Sequence, residues 1–219
     1  MKSLSVGKVF RNGLISISFQ GIPILLALIA IPKNIEFIGD TLWGLYSLTI
    51  TVLFLFMYFN LGINPSVNKK ISEAMAKSDS DRISKLLANG FYFNLITAIS
   101  LCALLYYLSP LSATFLVQEE SKMHVAELLF KYAAIAGGIS LLISFYRNVY
   151  EAKQNFFLVS VLRTILSSTI LIAPSIGYLL GFDIIGSFHI VLAVYFLVWV
   201  LYTFIFFREY GAPKLNLVE

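Results

Sequence analysis

The chain has 219 residues, 58% hydrophobic and 13% charged, with a formal net charge of +4; ordinary soluble domains carry roughly 25% charged residues. A soluble domain of this length has too little interior to hide that much apolar surface, so the composition excludes a conventional water-soluble globule. No basic run is dense enough to argue for a nucleic-acid surface, and membrane topology with anionic lipid headgroups accounts for the positive charge.

Long windows carry no charge at all: residues 12–32, 41–68, 86–118, 164–182 and 184–207. Each approaches or exceeds the roughly 18 to 20 apolar residues that cross about 30 Å of hydrocarbon as a helix. A sixth window, 126–146, holds Glu127 and Lys131 near its start and is the weakest of the set. The chain therefore reads as an all-α membrane protein, a six-transmembrane-helix bundle forming one domain over residues 1–219. The spans fall at about 12–32, 43–64, 86–108, 126–146, 164–182 and 184–207. Lys2, Lys8 and Arg11 precede the first run, but that run is too long for a signal-peptide core and ends without a small-residue cleavage site.

In the first span Asn12, Ser16 and Gln20 recur every four residues along one face. Pro23 is positioned to kink this helix and Pro32 to close it. The second span opens after a Gly39–Asp40 turn with Trp43 and Tyr46, residues suited to the membrane interface. Its far end carries Asn60, Asn64 and Asn68 at the same spacing, with Pro65 weakening the helix there. Residues 69–85 alternate charged with apolar residues and read as an amphipathic surface helix, with the segment from Ser78 to Asp81 as its turn or cap. The third span bears Asn89, Asn94 and Thr97 and the single Cys102, whose solitary state excludes an intrachain disulfide. The fourth ends in Ser140, Ser144, Arg147 and Glu151, a polar line at helical spacing. The fifth begins near Arg163 and contains Gly177 and Gly181, a small-xxx-small pattern that permits close helix approach. The sixth has His189 near its start and Tyr195 and Tyr202 one heptad apart.

If six spans alternate, the segments 1–11, 69–85, 147–163 and the tail after Phe207 share one side and hold 13 Lys or Arg, against 3 in the remaining connections. The acids divide six and six. Because basic residues concentrate in cytoplasmic loops, both termini are expected in the cytoplasm, in a cytoplasmic (inner) membrane.

Conventional catalysis finds little to use. His124 in an outer loop and His189 lack carboxylate or Ser partners nearby in sequence, and there is no metal-spaced Cys/His set and no Gly-rich phosphate loop. An enzyme, a metal and a cofactor are not expected. What remains is a bundle with amides, hydroxyls and arginines at one end: Arg11, Asn12, Gln20, Asn60, Asn64, Asn94, Arg147 and Arg163. Polar groups in a membrane usually face the bundle interior or a watery cavity. They read as a hydrophilic path with a cationic mouth, suited to a hydroxyl-rich cargo bearing phosphate. The plainer alternative is interhelical packing plus arginines that satisfy topology.

Three landmarks carry a resemblance. The run IPKNIEFIGDTLWGLYSL (31–48) resembles the first loop of the polysaccharide flippases, the O-antigen and capsule repeat-unit translocases of the multidrug/oligosaccharidyl-lipid/polysaccharide exporter superfamily. FNLGINPSVNKKISE (59–73) resembles their second-helix ending, with Asn60 where the family carries Asp. NVYEAKQNFFLVSVLR (148–163) resembles their loop between helices 4 and 5, with its Glu151, Gln154, Phe156 and Arg163 in the family's order. The resemblance implies a transporter that moves polyprenyl-diphosphate-linked oligosaccharide units across the cytoplasmic membrane for surface polysaccharide biosynthesis. It reaches only the N-terminal six-helix half of a family with twelve to fourteen helices. It therefore implies a truncated or half-size form, or a partner bundle supplied by a second copy or a separate chain, besides membrane lipids. Two alternatives stay open: a cation-coupled multidrug or small-molecule exporter of the same superfamily, which would want a carboxylate deep in a span, and a non-transporting membrane subunit or remnant. Reporter fusions after Glu36, Lys122 and Asp183 are expected on the far side of the bilayer; a cytosolic location for any of them would refute the six-span reading.

Overall fold

Apolar runs that long can satisfy their backbone in lipid only as helices, and the computed structural model is built from six of them. It describes the backbone of residues 6–58 and 63–211 and the side chains of 13–56 and 69–211. The helices are α1 (Val6–Tyr58), α2 (Ile63–Ala76), α3 (Ser80–Leu116), α4 (Glu120–Ala152), α5 (Phe156–Leu179) and α6 (Ile184–Tyr210). All but α2 are long and apolar enough to cross a membrane, and the protein is a multi-pass membrane protein.

At 53 residues, α1 would be about 80 Å long if straight, over twice the roughly 30 Å of hydrocarbon. It is not straight. Gly39 has φ 79° and ψ 159°, a conformation essentially confined to glycine, although the space around it is open. The contacts on either side show that the chain doubles back. On the first arm, Phe19, Asn34 and Phe37 meet Thr164, Leu171 and Tyr178 in turn, climbing α5. On the second arm, Tyr46 has already returned to Ile170. Pro32, expected to close the first helix, lies inside it, and the turn belongs to Gly39 alone.

Prolines decide how α1 and α5 are joined. A proline inside a helix supplies no N–H to the carbonyl four residues earlier, and hydrocarbon has no water to replace it. Four prolines stand in the interiors of α1, α3 and α5, and three of them have that carbonyl met by a hydroxyl. Pro23 frees the Phe19 carbonyl, and Thr164 Oγ1 of α5 donates to it at 3.0 Å. Pro174 frees the Ile170 carbonyl, and the fully buried Tyr46 of α1 donates to it at 2.8 Å. Pro110 frees the Tyr106 carbonyl, which Ser109 of the same helix takes at 2.7 Å. One step along from Ile170, the Leu171 carbonyl accepts from the buried Asn34 Nδ2 at 2.8 Å, and Asn34 Oδ1 accepts from Ser175. Each helix thus closes the other's break.

The fourth span, weakest because Glu127 and Lys131 stand near its start, is the centre of the bundle: α4 packs against every other helix. Its small residues Ala126, Ala133, Ala134, Ala136, Gly137 and Gly138 are buried. Gly137 lies against the Phe56 ring, and a side-chain carbon at Gly138 would come 3.0 Å from Cys102 Cβ of α3. The two charges at its start neutralise each other, Lys131 Nζ bonding Glu127 at 2.6 Å while lying 5.5 Å from the centre of the Tyr106 ring.

Connections differ from expectation in three places. Residues 69–85 are not one surface helix: α2 ends at Ala76, Ser78 takes φ 54°, and Asp79 caps α3 by accepting from the Arg82 N–H at 3.0 Å. Residues 80–85 are therefore the first turns of the long α3. His124 sits in the first turns of α4 rather than in a loop. Of the Gly177–Gly181 pair, only Gly177 serves close approach, against Ser187 of α6; Gly181 has φ 75° and makes the turn between α5 and α6. Asp183 then caps α6 through the Gly186 N–H at 2.7 Å.

Tyr46→Phe is expected to lower stability by about 1–3 kcal/mol, the cost of a buried carbonyl without a donor, read as an unfolding midpoint in detergent. Most of that loss should vanish in a Pro174→Ala background, where a backbone N–H returns to position 174. An equal loss in both backgrounds would show that Tyr46 acts through packing alone.

Candidate functional site

One end of the bundle gathers the basic segments. Ser16 and Gln20 of α1 share a cleft with Glu151 and Arg163, and α2 meets the α4–α5 turn through Ser72, Met75, Lys153 and Gln154. Lys153 also pairs with Glu209 in the last turn of α6. The opposite end carries the Phe37–Tyr178 stack at 4.8 Å and the Tyr132–His189 contact at 4.7 Å.

Inside the basic end lies a cavity of about 460 Å³ between the second arm of α1 and helices α4, α5 and α6. Helical spacing builds its polar wall. Ser140, Ser144 and Arg147 recur at four and three residues on α4, Arg163 and Ser167 at four on α5, and Tyr195 and Tyr202 at seven on α6; all seven line the space. Leu53, Phe54 and Phe56 close the apolar side.

The serines are not free donors. Ser140 donates to the Gly137 carbonyl and Ser144 to the Leu141 carbonyl, both at 2.7 Å, and Ser167 to the Arg163 carbonyl at 3.0 Å. A hydroxyl whose proton is held by its own helix offers lone pairs, so Ser140 and Ser167 present acceptors. The guanidinium groups of Arg147 and Arg163 present donors only. Arg147 Nε lies 3.8 Å from Glu151 Oε1, an ion pair beyond hydrogen-bonding length. Arg163 makes no ion pair among the described residues, and it is exposed.

A second cleft of about 440 Å³ separates the first arm of α1 from α5. Gln20 lines it, with Nε2 donating to Ser16 Oγ at 3.1 Å. Arg163 and Ser167 belong to both spaces.

Of the residues singled out in the sequence, Gln20, Arg147 and Arg163 are thus brought to adjoining cavities. Asn94 is buried on α3 with Nδ2 donating back to the Gly90 carbonyl at 3.1 Å, and it lines neither space. The side chains of Arg11, Asn12 and Asn64 lie outside the described residues, as does Asn60 altogether. Sequence reasoning passed over Ser167, which only the pairing of α1 with α5 reveals, and gave no purpose to Tyr195 and Tyr202, whose heptad spacing was visible. Among the described residues no group of His, Cys, Asp or Glu is arranged to hold a metal ion. The arrangement can bind a group that accepts from guanidinium and donates to hydroxyl oxygen.

A family model described as polysaccharide biosynthesis protein matches residues 9–218. No curated protein and no solved structure matches the chain.

Gly137 places the cavity wall, because any side chain there would run into Phe56. Gly137→Ala is expected to cost about 1–3 kcal/mol through overpacking, measured by the unfolding midpoint. Phe56→Leu should restore most of it; no rescue would mean that the small residue serves something other than this contact.

Proposed function

The chain belongs to the polysaccharide biosynthesis protein family, the polysaccharide flippases of the multidrug/oligosaccharidyl-lipid/polysaccharide exporter superfamily, and from that premise we propose that it translocates polyprenyl-diphosphate-linked oligosaccharide units. The observation that carries the reading is the cavity lined by Arg147 and Arg163 together with Ser140, Ser144 and Ser167. A diphosphate only accepts hydrogen bonds, and guanidinium forks match it. Sugar hydroxyls both donate and accept, and back-bonded serines meet their protons. The cavity has no deeply placed carboxylate: Glu151 stands in the last turn of α4. That weighs against the cation-coupled drug exporter, which needs a titratable acid within the span.

In this reading the two arms of α1 cross separately, so that the chain has six spans. The meeting of α1, α2, the α4–α5 turn and the end of α6 at one basic end supports the alternation expected from the charges. By the excess of Lys and Arg, that end faces the cytoplasm and both termini lie there. A second bundle, from another copy or another chain, supplies the opposing wall, because alternating access needs two bodies that rock about a shared site.

Expression in a flippase-deficient strain, together with a second six-helix bundle, should restore surface polysaccharide. Arg147→Ala and Arg163→Ala should each cut that rescue by about tenfold or more, as loss of a charged hydrogen bond implies. Lys131→Ala, at the other end, should not. Rescue indifferent to both arginines would reject the cavity as the path.

A further inference from the structure

The cleft between the first arm of α1 and α5 is a second space, and the central cavity does not account for it. Phe19, Pro23 and Ile24 form one apolar wall and Phe156 and Val159 the other. Ile24 is 66% exposed, and Ile17 and Leu28 on the same arm are 70% and 71% exposed, so the cleft sits beside a surface that lipid chains cover. Thr164 lies between the walls and holds α1 to α5 by its bond to the Phe19 carbonyl.

Its polar groups point to the class of occupant. Glu151 is the one carboxylate lining it, and that group faces Arg147 at 3.8 Å. Arg163 has no such partner among the described residues. Gln20 keeps its carbonyl oxygen and one amide hydrogen after bonding Ser16. An apolar slot ending on an unpaired guanidinium and an amide suits a hydrocarbon chain attached to phosphate.

What lies behind that guanidinium separates two lipid sources. Arg163 stands just ahead of the span expected at 164–182, at headgroup height. A bulk phospholipid gains nothing by moving its headgroup onward from there. A lipid whose headgroup is drawn onward gains the central cavity, because Arg163 and Ser167 line both spaces.

We infer that the α1–α5 cleft is the lateral docking groove for the polyprenyl diphosphate carrier, with the prenyl chain between Phe19, Ile24 and Val159 and the diphosphate on Arg163. This rests on the flippase reading above and adds to it a site of entry from the side. Arg163 is the shared contact through which a headgroup passes from cleft to cavity without leaving a guanidinium.

The test uses the full chain in phosphatidylcholine nanodiscs with a benzophenone-bearing polyprenyl diphosphate. Photocrosslinks should fall on the Phe19–Ile24 and Phe156–Val159 stretches. Their yield should drop about tenfold in Ile24→Trp, which fills the slot, and in Arg163→Gln, which removes the cation. Leu197→Trp, an equal addition at a 63% exposed position on α6, should leave the yield unchanged, and excess phosphatidylglycerol should not compete. Competition by phosphatidylglycerol would overturn the assignment in favour of an ordinary anionic lipid, and crosslinks insensitive to Ile24→Trp would overturn it as well. The rescue assay reads transport separately: rescue without cleft crosslinks refutes the cleft alone, and absence of both refutes the cleft together with the flippase reading.

Discussion

A carbonyl left without a donor by proline, in a medium without water, is the constraint from which the rest of this bundle follows. Each such group costs several kcal/mol in hydrocarbon, so a proline in a spanning helix demands a neighbour with a hydroxyl at the right height. Pro23 obtains Thr164 and Pro174 obtains Tyr46. These bonds run in opposite senses, α5 serving α1 and α1 serving α5. They fix the hairpin around Gly39 against α5 at two levels, and Asn34 adds a third between them and the turn. Both cavities at the basic end lie along α5, and their walls are set by where the two arms of α1 are pinned to it.

The central helix obeys a complementary rule. Between helices in a membrane, association comes from packing and not from escape from water, so small residues that admit close neighbours are worth more than bulky apolar ones. Ala133, Ala134, Ala136, Gly137 and Gly138 of α4 admit the second arm of α1 and α3. Because protein surrounds this helix, it also tolerates the Glu127–Lys131 pair and a line of serines that lipid would penalise. Its charged start and its central position have one cause.

That cause explains what could be read from the chain and what could not. Local rules spoke clearly: Gly39 as a turn, Asp79 within a turn or cap, and the polar line of Ser140, Ser144 and Arg147 on one face. The fourth span looked weakest because charges at its start would be penalised by lipid, and α4 is the helix most shielded from lipid by its neighbours. Pro32 looked like a helix end because the rule for proline is written for single helices, whereas the helix here runs through it to Gly39. Asn94 was grouped with the other amides by residue type, but its donor turned back to Gly90. Spacing within one helix cannot reveal that Arg163 and Ser167 stand between two spaces, since that depends on which helices α5 separates.

The chemistry of the site follows from how little of it is charged. Ser140, Ser144 and Ser167 send their protons into their own helices, so the cavity wall is polar without exposing unsatisfied donors. Such a wall is tolerable in the membrane when empty, yet it still accepts hydrogen bonds from a cargo. The two arginines divide the remaining work unequally. Arg147 is tempered by Glu151, which lowers the cost of holding it between helices and also its hold on an anion. Arg163 makes no ion pair among the described residues and, in the proposed function, is the stronger anchor. A transporter must bind its cargo without trapping it. On that proposal, one such guanidinium beside a neutral acceptor wall, rather than a cluster of fixed cations, favours a phosphate that arrives, is held at one point, and can leave.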